Sequence, residues 1–196
     1  MNVLKLNLPP PSGILRALVM TNLDELAMDP GAKKWLDQFH GGINCVAHRF
    51  DRMQKLEMQL NLEYKKYFPN RDIGAVIGVM KNTGSGLACL PPHCDRGRAI
   101  AINYYLGLGG KGVETVFYDQ ERSTGDESHN ILYKDVTEIS RHQFQEGWYA
   151  YNVCRAHSVE KIENLRYFLA IAFADSQYRV EDFAREYPAL VEQEYK

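Results

Sequence analysis

From residue 73 onward the sequence is a succession of short β-prone runs. Residues 73–80 (IGAVIGVM), 98–106 (RAIAINYYL), 113–118 (VETVFY), 148–153 (WYAYNV) and 166–173 (RYFLAIAF) are rich in β-branched and aromatic residues, and glycine or polar segments separate them. Two weaker runs, 131–133 and 136–139, bring the total to about seven or eight strands within roughly 100 residues. So many short strands at close spacing fit a sandwich or a barrel built from two sheets.

The first 72 residues read differently. Pro9-Pro10-Pro11 holds the chain extended. Ser12 is placed to cap a helix, and Ile14, Leu15, Leu18, Val19, Leu23 and Leu26 recur behind it at helical spacing. Asp29-Pro30 marks the start of a short second helix carrying Trp35, Leu36 and Phe39, which Gly41-Gly42 stops. A third helix is expected over 51–67, with Met53, Leu56, Leu60, Tyr64 and Tyr67 on one face and Pro69 beyond its end. Val180, Phe183, Ala184 and Tyr187 form the face of a C-terminal helix before Pro188. The fold class is therefore α+β and mainly β. A single domain over 1–196 is expected: 1–72 as mainly helical support, 73–175 as the β core and 176–196 as a C-terminal helix. The front helices should lay their apolar stripes on the outer face of one sheet.

Composition narrows the class. Hydrophobic residues make up 45% of the 196 and charged residues 24%, enough apolar content for a buried core. A formal net charge of -2 carries no strong nucleic-acid signal. The longest strongly apolar stretch, 167–174, is far short of the roughly 20 residues that cross a bilayer. The N-terminal residues lack the pattern of a secretory signal. Cys45, Cys89, Cys94 and Cys154 have no C-x-x-C spacing, as expected of reduced thiols in a cytoplasmic protein.

Two of the six histidines are placed for chemistry. His93-Cys94-Asp95 is an H-x-D, and in an extended segment residues i and i+2 point the same way. The imidazole and carboxylate can grip one metal while Cys94 points to the opposite side as a small packed thiol. Alone, the motif is short enough to be an ordinary surface turn. His157 lies beside a later strand and supplies a second imidazole, so His93, Asp95 and His157 match the facial triad of non-haem iron sites. Arg166 follows nine residues after His157 and opens the last strand. An inward-facing guanidinium there suits a dicarboxylate held by both fork nitrogens.

Three stretches together resemble the 2-oxoglutarate and Fe(II)-dependent oxygenases, and among them the prolyl-hydroxylase-like group. His93 to Leu106 (HCDRGRAIAINYYL) is similar to the family's H-x-D followed by R-x-x-T-x-x-x-Y-L. Gly109-Gly110 with Glu114-Thr115-Val116-Phe117 resembles a G-G-E-T-x-F strand, with Lys111, Gly112 and Val113 interposed. His157 to Tyr167 (HSVEKIENLRY) matches H-x-V and the later Arg. The resemblance implies a double-stranded β-helix core of jelly-roll or cupin-like form, supported by the N-terminal helices. It implies Fe(II) on His93, Asp95 and His157, 2-oxoglutarate as cosubstrate with its distal carboxylate on Arg166, and O₂ as oxidant. Tyr105 aligns with a family tyrosine whose hydroxyl helps hold that carboxylate. Ala101 stands where a Thr is common, and Met80 is the nearest match to a second cosubstrate-binding Tyr. Asn103 and Tyr104 are candidates for the remaining wall, with their facing open. Arg96, Arg98 and Arg155 are read as solvated strand ends, with projection into the pocket as the alternative.

The implied activity is hydroxylation of an unactivated C–H bond in a prolyl, amino-acid-like or other small substrate, peptide or free, with succinate and CO₂ as coproducts. Two alternatives stay open. One is a non-catalytic sensor that binds metal and 2-oxoglutarate; the other is a cupin-like metalloprotein with non-redox chemistry. The polar stretch 119–130 (DQERSTGDESHN) is a solvated hairpin loop or a lid over the metal.

Overall fold

The computed structural model describes residues 3–28, 43–48, 54–82, 86–95, 98–121, 131–175 and 177–195. Within them the strands are β1 (Val3–Leu6), β2 (Ile43–His48), β3 (Ile73–Asn82), β4 (Ala88–His93), β5 (Ile100–Leu108), β6 (Glu114–Glu121), β7 (Glu138–His142), β8 (Gly147–Asn152), β9 (Arg155–Ile162), β10 (Leu165–Phe173) and β11 (Val191–Tyr195). A large sheet runs in the order β11-β1-β8-β5-β10-β3-β2 and a small one in the order β4-β9-β6-β7. Every pairing is antiparallel.

The eight strands β3 to β10 form the core. Of these, β3, β10, β5 and β8 lie side by side in the large sheet, and β4, β9, β6 and β7 in the small one. The chain thus crosses repeatedly between two facing sheets, which is the order of a double-stranded β-helix. β1, β2 and β11 widen the large sheet.

Alternation along β5 shows how the sequence makes two cores. Ile100, Ile102 and Tyr104 belong to the cluster under the helices, whereas Ala101 and Tyr105 belong to the cluster between the sheets. The helices are α1 (Gly13–Met28), α2 (Gln54–Tyr64) and α3 (Val180–Glu186). Leu15, Val19 and Leu23 of α1 and Leu56, Leu60 and Tyr64 of α2 pack with Ile77, Trp148, Leu169 and Ile171 of the large sheet, as their spacing predicts. Full burial of each such side chain is worth roughly 1.5–3 kcal/mol. Ser12 caps α1: its Oγ accepts the Leu15 N–H at 3.2 Å, while its own N–H donates to Glu63 of α2 at 2.9 Å. The Pro9 carbonyl accepts both the Tyr64 hydroxyl and the Trp148 indole N–H, each at 2.9 Å, which ties the proline segment to helix and sheet.

Several expectations need correction. The front 72 residues are not only helical, since β1 and β2 lie in the large sheet. Among the described residues of 176–196 the α-helix spans only Val180–Glu186; a 3-10 turn (Pro188–Leu190) and β11 follow, and β11 pairs with β1. Residues 131–133 are not a strand. Ile131 packs with Cys94, Val116, Tyr118 and Ala156, and a single 3-10 turn (Tyr133–Asp135) follows it. The strand expected at 136–139 begins at Glu138. The short helix carrying Trp35, Leu36 and Phe39, and residues 122–130 of the polar stretch, lie outside the described residues.

Candidate metal centre

β4 ends in His93, and register places it directly opposite His157 of β9, with ring centroids 4.3 Å apart. β4 contains Pro91 and Pro92, which an edge strand tolerates because its outer side needs no N–H partner. The Pro91 carbonyl faces the His93 Nδ1 at 2.8 Å, and the Arg155 carbonyl faces the His157 Nδ1 at 3.0 Å. Each ring then donates its Nδ1–H to backbone and keeps the Nε2 lone pair free, the orientation that a metal-binding imidazole uses.

Asp95 completes the cluster. Its backbone N–H donates to the Val153 carbonyl at 2.8 Å. Its Oδ1 stands 3.6 Å from His93 Nε2 and 3.9 Å from His157 Nε2. Among the described residues, these three side chains form the group able to hold a metal ion, with ligand atoms all within 4.8 Å of one another. Cys94 is buried on the opposite side, as the i, i+2 alternation predicts.

The other carboxylate oxygen is already occupied. Arg98 donates from Nε at 3.0 Å and from Nη2 at 2.7 Å, both to Asp95 Oδ2. Arg98 is thus no solvated strand end; it fixes the rotation of Asp95 and leaves Oδ1 turned toward the imidazoles. Burial raises the Asp95 carboxyl pKa, but the Arg98 guanidinium and the two imidazoles outweigh it and hold the group at about 2. Burial depresses His157, His93 adds to this, and Asp95 only partly offsets it, so His157 lies at about 4. At neutral pH the cluster is one carboxylate beside an unprotonated His157 imidazole, as metal binding requires.

Arg166 is the second residue of β10 and is 2% exposed. Its Nη2 donates to Thr115 Oγ1 at 3.2 Å, and its guanidinium carbon lies 4.7 Å from the Tyr105 ring centroid. Its Nε is buried without a hydrogen-bond partner, and no ion pair among the described residues includes it. Gly109, at φ 82°, lets the chain close over this residue: a Cβ there would stand 2.8 Å from Arg166 Cβ. Tyr105 is buried, with Phe144 stacked on it at 4.9 Å and Phe168 edge-on at 5.6 Å. Its hydroxyl lies 2.8 Å from that of Tyr151.

The sequence left the facing of Asn103 and Tyr104 open. The Tyr104 hydroxyl meets Arg16 and Glu146 on the helix side, both at 2.9 Å. Asn103 is fully buried and donates to the Tyr151 hydroxyl at 2.6 Å. Arg155 pairs with Glu121, so its contribution to the cluster is its carbonyl. Arg98, Thr115 and Tyr151 escaped functional assignment. Thr115 sits inside a quoted motif, whereas nothing at the spacing of Tyr151 marks it.

No protein-family model and no curated protein matches this sequence. Among solved structures, the chain is similar to a prolyl-4-hydroxylase of Pseudomonas putida, at 13% identity over 80% of this chain and 85% of that one, with a TM-score of 0.38. It is similar to AviO1 of Streptomyces viridochromogenes, at 12% identity over 90% and 91%, with a TM-score of 0.47. It is also similar to an oxidoreductase of the 2OG-Fe(II) oxygenase family from Burkholderia pseudomallei, at 13% identity over 82% and 81%, with a TM-score of 0.42. Likeness this distant assigns no residue a role. No helix of the described residues is long and apolar enough to cross a membrane.

Proposed function

We propose that this chain is an Fe(II)- and 2-oxoglutarate-dependent oxygenase. One observation carries the reading: a two-histidine, one-carboxylate cluster shares the barrel with a buried guanidinium that meets no carboxylate among the described residues. The donor set fits the iron, because two imidazoles and one carboxylate leave other coordination positions open. The orphaned Arg166 Nε fits the cosubstrate, because an unpaired buried charge is costly until an anion meets it.

In this reading His93, Asp95 and His157 hold the metal. Arg166, with Thr115 steadying its fork, would take the distal carboxylate of 2-oxoglutarate. Tyr105 stacks under the guanidinium and adds a hydroxyl donor. Phe117, whose ring centroid is 6.1 Å from that of His157, and Phe168 exclude water around them. When bound, iron with 2-oxoglutarate and O₂ supplies oxidation of a substrate C–H bond, with succinate and CO₂ as coproducts. The resemblance to prolyl hydroxylases makes a prolyl, amino-acid-like or other small molecule or peptide the substrate to try first.

Anaerobic addition of 2-oxoglutarate to the Fe(II)-loaded protein should produce a weak visible charge-transfer band. Arg166→Ala should raise the 2-oxoglutarate concentration needed for that band and leave metal affinity unchanged. Absence of the band in the wild-type protein would overturn the assignment. An unchanged titration in Arg166→Ala would remove Arg166 from it.

A further inference from the structure

The interior wall opposite the metal cluster is poor in polar groups at two places. Ala101 and Met80 both pack against the cluster between the sheets and offer no hydrogen-bonding side chain of the usual strength. Beside Tyr149 of β8 and Arg166 of β10, three polar groups on this wall adjoin the site: Asn103 and Tyr105 of β5 and Tyr151 of β8. They are 0%, 1% and 5% exposed. Tyr151 lies between the two halves of the site. Its ring is 6.4 Å from the His157 ring, and its hydroxyl touches that of Tyr105, the ring beneath Arg166.

Hydrogen-bond arithmetic within this group leaves a surplus. A phenol has one hydrogen to give and two lone pairs to receive with. The Asn103 Nδ2–H donates to the Tyr151 oxygen, and the two phenols share one hydrogen bond between them. Only one of the two phenolic hydrogens is used; the group's own unpartnered acceptor, Asn103 Oδ1, makes no hydrogen bond with either phenol. Burial and the neighbouring Tyr105 push the Tyr151 pKa well above its ordinary value, so this phenol keeps its proton at neutral pH. A buried donor left unmade costs about 1–3 kcal/mol. The surplus hydrogen and the unpaired Arg166 Nε both call for an anionic acceptor.

We propose that Asn103 and Tyr151 are positioning residues for the distal carboxylate of 2-oxoglutarate. The Asn103 amide fills one Tyr151 lone pair and turns that phenol's hydrogen to Tyr105. Tyr105 in turn delivers its hydrogen to the carboxylate on Arg166. Each donor in such a chain polarises the next. The polar contacts that Met80 and Ala101 do not make are thus supplied from β8. This rests on the cosubstrate assigned above.

The test is calorimetric titration of the Mn(II)-loaded protein, without turnover, using 2-oxoglutarate and, separately, 2-oxobutyrate, which lacks the distal carboxylate. Tyr151→Phe should weaken 2-oxoglutarate binding roughly 10-fold or more, the loss of one hydrogen bond in a chain ending on a charge. It should leave 2-oxobutyrate binding and Mn(II) affinity unchanged. Asn103→Leu should act in the same direction with a smaller factor, and it carries the comparison if Tyr151→Phe does not fold. Equal losses for both 2-oxo acids would make Tyr151 a packing residue and overturn the proposal. Unchanged 2-oxoglutarate affinity would overturn it too, while leaving the oxygenase reading intact. Failure of the wild-type protein to bind 2-oxoglutarate would overturn both.

Discussion

The metal-free protein should lose stability as pH falls from about 6.5 to about 4, and His157 should be the reason. Burial and the adjacent His93 hold its imidazole at about 4, whereas an unfolded chain protonates the same ring near 6.5. Between those values the unfolded state binds one more proton, so each step down in pH favours unfolding. The stabilisation is fully present above about 6.5 and gone below about 4. The gap between 4 and 6.5 corresponds to about 3 kcal/mol. For a chain of this length that is roughly 6–12 °C in Tm. Thermal unfolding in a chelator, from pH 7.5 down to pH 4.5, measures it in the wild type and in His157→Gln, which cannot take the proton. Carboxylates such as Glu114 and Glu186, both held at about 2 by their cationic partners, begin to contribute only as pH approaches their unfolded value of about 4.5, and do so alike in both proteins. The difference between the two curves therefore isolates His157. The variant's curve should be flatter by most of the 3 kcal/mol. Parallel curves would refute the argument that the folded protein keeps this imidazole unprotonated.

Four further outcomes follow from the geometry. Asp95→Ala should abolish metal binding measured by calorimetry, and Arg98→Ala should weaken it about 10- to 100-fold by freeing the carboxylate that Arg98 orients. Arg98→Lys should recover part of that loss, because one of two donors remains. Gly78→Ala should destabilise the fold by about 1–3 kcal/mol in denaturant melts. A Cβ at Gly78 would stand 1.9 Å from Phe168 Cζ, and Phe168 is wedged against Tyr105, so the ring has little room to retreat.

The strong β runs and amphipathic helices were legible because burial dictates their spacing. Of the strands that escaped notice, β2, β4 and β11 lie at sheet edges, whereas β1 and β9 are interior but short of the aromatic and β-branched runs that marked the others. β4 hides behind Pro91-Pro92, and β11 reads Val-Glu-Gln-Glu-Tyr, charged as an unpartnered sheet edge tends to be. Their identity depends on partners far away in the chain. The grouping of His93, Asp95 and His157 and the burial of Arg166 were legible, because an H-x-D on an extended segment, a later histidine and an arginine near the start of a core strand are read from side-chain type and offset. Arg98 was misread because a strand-end arginine is solvated by default, and only the fold shows which carboxylate it meets. Tyr151 was illegible for a related reason: one of 12 tyrosines, it acquires meaning only when β8 pairs with β5 and sets its hydroxyl beside that of Tyr105.

The strand order also has a kinetic consequence. In the core of the large sheet every neighbour is distant in sequence: β8 beside β5, β5 beside β10, β10 beside β3. Closing such loops has an entropic cost before any contact repays it, so a chain of this topology folds slowly for its size. His93 and His157 meet only when β4 and β9 are in register, so a metal held by them would be captured after that long-range pairing rather than before it. Metal should thus leave the refolding rate unchanged and slow unfolding instead, as expected for contacts that form late.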